Sequence, residues 1–90
     1  MYYVYILKCA DGTLYTGQTN DVDRRVAEHN AGKYCRYTFP RRPVNLVFSH
    51  CFKDRGDALR AEYRIKQMPR KDKLRLLEKD SKILRKMKGK

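Results

Sequence analysis

Tryptophan is absent from the 90 residues, acids number only 10, and no apolar run approaches the roughly 18 residues of a membrane-spanning helix. The last absence excludes a transmembrane helix. Cysteine is scarce: Cys9, Cys35 and Cys51 are odd in number and share no CxxC spacing, which speaks against a disulfide framework and against a zinc site with His29 or His50. They read as reduced packing residues. The opening Met1-Tyr2-Tyr3-Val4 lacks a basic stretch ahead of an apolar core and a small-residue cleavage site, so the expectation is a soluble cytoplasmic protein without a signal peptide.

Positive charge is abundant instead. Against the 10 acids stand 22 Lys and Arg, a net charge of +12. Such an excess destabilises a compact chain by self-repulsion and implies a polyanionic partner, for which nucleic acid leads. Twelve of the 22 cations fall from Arg64 to Lys90, against the acids Asp72, Glu78 and Asp80. A solvated basic face is the plainer alternative. An anionic membrane fits less well, because the C-terminal segment lacks a broad apolar face with large aromatics.

A chain of this length supports one core, so the expectation is a single domain over residues 1–80 with a basic tail at 81–90. Tyr2 to Lys8 is a nearly continuous apolar run, Asp11-Gly12 signals a hairpin, and Thr13 to Thr16 continues in β-prone residues until Gly17 breaks the strand. Asn20 or Asp21 can cap a helix over Val22 to Asn30, which Gly32 ends. Lys33 to Pro43 reads as a loop without regular structure, Asn45 to Phe52 as a third strand, and Asp54 or Asp57 opens a second helix that Pro69 closes. A third helix is expected over Lys71 to Lys79. The order predicts an α+β fold, a small three-stranded antiparallel sheet flanked by helices.

At about 100° per residue, Val22 and Val26 form the buried stripe of the first helix, and Arg25 and His29 border it within about 60° of Val22. Four residues apart, those two can act on one ligand. In the second helix Ala58, Ala61, Ile65 and Met68 form the stripe, Leu59 widens it, and Glu62 falls inside it. A carboxylate there requires a partner. An Arg25–Glu62 ion pair or a Glu62–Lys66 pair would meet that need, as would a bound cation. Tyr5 and Tyr15 stand on paired strands, where a tyrosine is usually a core residue with a wet hydroxyl. Two phenols, an arginine, a histidine and an acid on a basic domain form a candidate phosphate-processing constellation.

Tyr3-Val4-Tyr5, Tyr15-Thr16-Gly17, Arg25 with His29, and Ala61-Glu62, in that order, resemble the GIY-YIG nuclease family, and most closely its short stand-alone bacterial members. Tyr3 replaces the usual glycine, Leu74 stands where many catalytic relatives carry asparagine, and Gln18 stands where excision-repair relatives carry lysine. The resemblance implies a metal-dependent DNA endonuclease, structure-selective or weakly specific, in DNA repair or processing. It implies catalytic roles for Tyr5, Tyr15, Arg25, His29 and Glu62. Glu62 would hold Mg²⁺ or Mn²⁺, Arg25 the scissile phosphate, one of the two tyrosines the general-base role, and His29 a hydrogen bond to the base or the phosphate. No small-molecule cofactor is implied.

Gly17, Lys33, Arg36, Arg41, Arg42, Lys66, Arg70 and Lys71 are the expected nucleic-acid contacts. The competing reading is a binding module without turnover, in which Tyr34, Tyr37 and Phe39 stack bases beside Arg36, Arg41 and Arg42. Capping of the core is the structural role open to the same aromatics. DNA is not separated from RNA by the sequence, and the oligomeric state stays open.

Overall fold

The computed structural model describes residues 1–33 and 35–77. Tyr34 and the basic tail lie outside the described residues. Strands β1 (Tyr2–Lys8), β2 (Leu14–Thr19) and β3 (Asn45–Phe52) form one antiparallel sheet in the order β2-β1-β3. Helices α1 (Val22–Asn30) and α2 (Arg55–Gln67) follow β2 and β3, and a further helix, α3, covers residues 70–77. The α+β architecture thus stands as expected. The expected third helix extends beyond residue 77, where it lies outside the described residues.

Local chemistry sets the boundaries. Gly12 takes φ +87° in the β1–β2 turn, which the Asp11 carboxylate braces by accepting from Thr13 N at 3.0 Å and Thr13 Oγ1 at 2.6 Å. Asp21 caps α1 by accepting from Arg24 N at 3.1 Å, and Asp54 caps α2 by accepting from Gly56 N at 3.1 Å. Gly32, at φ +75°, closes α1: its N–H reaches the His29 carbonyl while Lys33 N–H reaches that of Glu28, each at 3.1 Å.

Alternation along β1 divides the core into two layers. Val4 and Ile6 pack with Phe48, Ala58 and Ile65 on the α2 face, whereas Tyr5 and Leu7 pack with Cys9, Val44, Tyr15 and Val26 on the α1 face. Val4, Tyr5, Ile6 and Leu7 are all fully buried. At roughly 1.5–3 kcal/mol per buried large apolar side chain, β1 is the main source of cohesion.

Several expectations are corrected. Gly17 does not break β2, which continues to Thr19 with Gly17 opposite Tyr5. The glycine is there because the phenol crosses it: a Cβ at this position would lie 2.5 Å from Tyr5 Oη. Leu59 does not widen the stripe of α2 but is exposed, and Cys51 is exposed instead of packed. The loop after α1 contains a short 3₁₀ turn, Phe39–Arg41, because Pro40 has the φ that such a turn needs and no N–H to lose. His29 is the one fully buried residue of α1, deeper than the two valines expected to line its buried stripe.

Candidate active site

On the α1 face, Tyr5 Oη and His29 Nε2 lie 3.0 Å apart, and His29 Nδ1 and Thr38 Oγ1 2.8 Å apart. All three side chains are fully buried. Thr38 donates its single hydroxyl proton to the Cys35 carbonyl at 3.3 Å, so toward His29 it accepts. Nδ1 therefore carries the ring proton, and Nε2 presents its lone pair to the Tyr5 hydroxyl. Burial pushes the imidazole below the usual 6.5, the Arg25 charge adds to this, and the Glu28 carboxylate opposes it. The neutral ring is a proton acceptor aimed at a phenol.

Tyr15 completes the cluster. Its ring centroid lies 5.2 Å from that of His29 and 6.4 Å from that of Tyr5, while Tyr37 stacks on its other side at 5.8 Å. Half-buried, Tyr15 forms the rim of this group. Arg25 is held along α1 by Glu28, with Nε 3.0 Å from the carboxylate.

Glu62 belongs to the other layer. Its helix packs on the Val4 and Ile6 face, and its carboxylate lies 3.1 Å from Lys66 Nζ, the i,i+4 pair foreseen as one way to satisfy it. Glu62 is thus carried by the helix on the Val4 and Ile6 layer, while Tyr5, Tyr15 and His29 gather in the Tyr5 and Leu7 layer. Among the described residues no group of three His, Cys, Asp or Glu could hold a metal ion. A hard ion that keeps most of its water requires only one or two carboxylates besides substrate phosphate, and Glu62 fits that type of site. The same face carries Thr16, whose buried hydroxyl has no hydrogen-bond partner among the described residues.

The expected nucleic-acid contacts fall into three groups. Lys33, Arg36, Arg70 and Lys71 are exposed. Arg41 and Arg42 are already engaged: Arg41 lies against Asp11, donates to the Tyr37 carbonyl and covers the Tyr37 ring at 4.0 Å, while Arg42 donates to the Phe39 carbonyl and covers the Phe39 ring at 4.3 Å. Lys66 is held by Glu62, and Gly17 serves Tyr5. Of the loop aromatics, Tyr37 covers Tyr15 and is part exposed, and Phe39 is exposed. Sequence reasoning missed Thr38, which fixes the histidine, because a lone threonine in a basic loop gives no signal until the fold brings it to His29.

A titration of stability follows from the depressed imidazole. With the folded pKa below the unfolded value of 6.5, the unfolded state binds more protons between the two, so stability is complete above about pH 6.5 and is lost as pH falls through that window. Urea midpoints measured between roughly pH 7.5 and pH 5 should fall, and His29→Gln should flatten the decline.

The model of the GIY-YIG catalytic domain matches residues 1–75. UPF0213 protein SH2523 of Staphylococcus haemolyticus is 51% identical over 77 residues, 86% of this chain and 94% of that protein. UPF0213 protein VNG_2274C of Halobacterium salinarum is 53% identical over 73 residues, 81% and 95% of the two chains. Among solved structures, the NMR structure of the UPF0213 protein BH0048 from Bacillus halodurans has 46% identity and a TM-score of 0.58, covering 87% of this chain and 84% of that one. The NMR structure of EF2693 from E. faecalis has 38% identity and a TM-score of 0.63, covering 89% and 85%. These relatives are as short as this chain, and with the tyrosine pair, the arginine and the histidine in the family order, the chain belongs to the GIY-YIG family.

Proposed function

We propose that the protein is a metal-dependent endonuclease that hydrolyses DNA phosphodiester bonds, structure-selective or weakly specific, and works in the cytoplasm in DNA repair or processing. The observation that carries this reading is the hydrogen-bonded series Thr38, His29, Tyr5. An isolated phenol, with an ordinary pKa of about 10, is a poor base at neutral pH. Bonded to a neutral imidazole, Tyr5 can take a proton from an attacking water that reaches the buried phenol past the half-buried Tyr15 rim, while passing its own to His29 Nε2. The water oxygen then bonds to phosphorus, the P–O3′ bond breaks, and the leaving oxygen takes a proton from solvent. Glu28 moderates the charge formed on His29. Arg25 holds nonbridging oxygens of the scissile phosphate, and Tyr15 lines the approach.

Glu62 would hold Mg²⁺ or Mn²⁺. Once bound, the ion supplies Lewis-acid charge to the nonbridging and leaving oxygens. The family acts on DNA, and the net charge of +12 favours a polyanion generally, so RNA is a second substrate to assay.

A second reading, binding without cutting, is favoured by the exposed Phe39 with Arg42 over its ring, a surface on which a base can stack beside the Tyr37–Arg41 pair. Incubating the protein with labelled single-stranded, nicked and branched DNA, with either metal or with EDTA, separates the two. Cutting that requires metal supports the nuclease. Binding without cutting in any metal supports the module.

A further inference from the structure

We propose that the hollow at the end of β2, between Arg25 and Arg55, is a phosphate subsite for the nucleic-acid backbone, holding a phosphodiester next to the one at the tyrosine–histidine group. The proposal rests on the nucleic-acid reading above and adds Arg55 to the binding surface. The cavity, about 310 Å³, is lined by Tyr2, Gln18, Thr19, Asn20, Arg25 and Arg55. Those residues come from three layers: Arg25 from α1 on one face, Arg55 from the first turn of α2 on the other, and the rest from the sheet and its edge. The hollow lies where β2 ends, and α1 and α2 each contribute one arginine to it.

Its charge points to an anion. Two guanidinium-bearing residues line it and no acid does, whereas the adjoining hollow along α1 contains Asp21 and Glu28 beside Arg24 and Arg25. The nearest acid in sequence to Arg55, Asp54, is turned to cap α2 through Gly56 N. Among the described residues Arg55 is in no ion pair. Arg25 is offset by Glu28, its Nε 3.0 Å from the carboxylate, so among the described residues Arg55 brings to the cavity the positive charge that no carboxylate offsets. Guanidinium matches phosphate in a planar, two-point geometry, and Gln18 and Asn20 add neutral amide donors.

Binding is measured in EDTA, so that cutting plays no part, with a short single-stranded DNA and, separately, inorganic phosphate as probes. Wild type, Arg55→Gln and the control Arg60→Gln are compared, Arg60 lying on α2 outside the cavity and paired with Asp57. Arg55→Gln should weaken oligonucleotide binding by about 3- to 10-fold and lower the slope of log K against log salt by about 0.7, the share of one phosphate contact on a single strand, while Arg60→Gln leaves both unchanged. Unchanged affinity and slope in Arg55→Gln would overturn the proposal. So would inorganic phosphate moving the amide resonances of Asn20 and Gly56 with no effect of Arg55→Gln on DNA, which would make the hollow a free-anion site. A protein that binds DNA as expected here but never cuts with metal would retain the subsite and lose only the nuclease.

Discussion

Tyr5→Phe should lower metal-dependent cleavage by about 10²- to 10⁴-fold, the range for loss of a positioned acid–base group. The substitution keeps the ring that packs with Leu7 and Val44 and removes only the hydroxyl at 3.0 Å from His29 Nε2. Withdrawing a hydroxyl from a buried imidazole nitrogen also costs stability, about 1–3 kcal/mol where nothing replaces it. Activity and stability are therefore to be read separately, with cleavage assayed well below the melting temperature of the variant. If Tyr5→Phe melts early but cuts at the wild-type rate, the phenol is a core residue and the proton path through His29 is wrong. Retention of both would show the hydrogen bond to be incidental.

Glu62→Gln is the second large effect, a loss of about 10³-fold or more, the scale of removing one principal electrostatic stabiliser of a transition state. Little stability should go with it. Its partner Lys66 is half exposed, and an i,i+4 pair of this kind contributes only about 0.3–0.5 kcal/mol. DNA binding in EDTA should hold or tighten slightly, since a negative charge has left a basic surface. The amide keeps the shape of the side chain, so a lost activity would not come from repacking. Cleavage by Glu62→Gln at the wild-type rate would mean that the ion, if one is used, is held elsewhere.

Much of the fold was legible in the sequence because it is written in local signals. Strands β1 and β3 and helix α1 lie where the apolar and β-prone runs, turn residues and caps place them. The misreadings share a cause: they are tertiary effects. Gly17 looks like a strand breaker in one dimension and is a clearance for the Tyr5 ring in three. Leu59 fits the angular window of the α2 stripe, yet the sheet covers less of that helix than the window assumes, and the side chain is exposed. In the site, the spacing of Arg25 and His29 put them beside the core-facing stripe. It could not foretell that Thr38, from a loop with no periodic pattern, would set the tautomer of His29. Nor does helical phase reveal which apolar layer of a sheet a helix will cover, so it left open that α2, which carries Glu62, packs on the Val4 and Ile6 layer.

The most direct test is a single-turnover cleavage time course of the wild-type protein on labelled nicked DNA in Mg²⁺, in Mn²⁺ and in EDTA, with Glu62→Gln run beside it. Strand scission by wild type in either metal, absent in EDTA and reduced by about 10³-fold in the variant, is the expected result. Equal product in all lanes, or none from a wild type that binds the DNA, would contradict a metal-dependent nuclease built on Glu62.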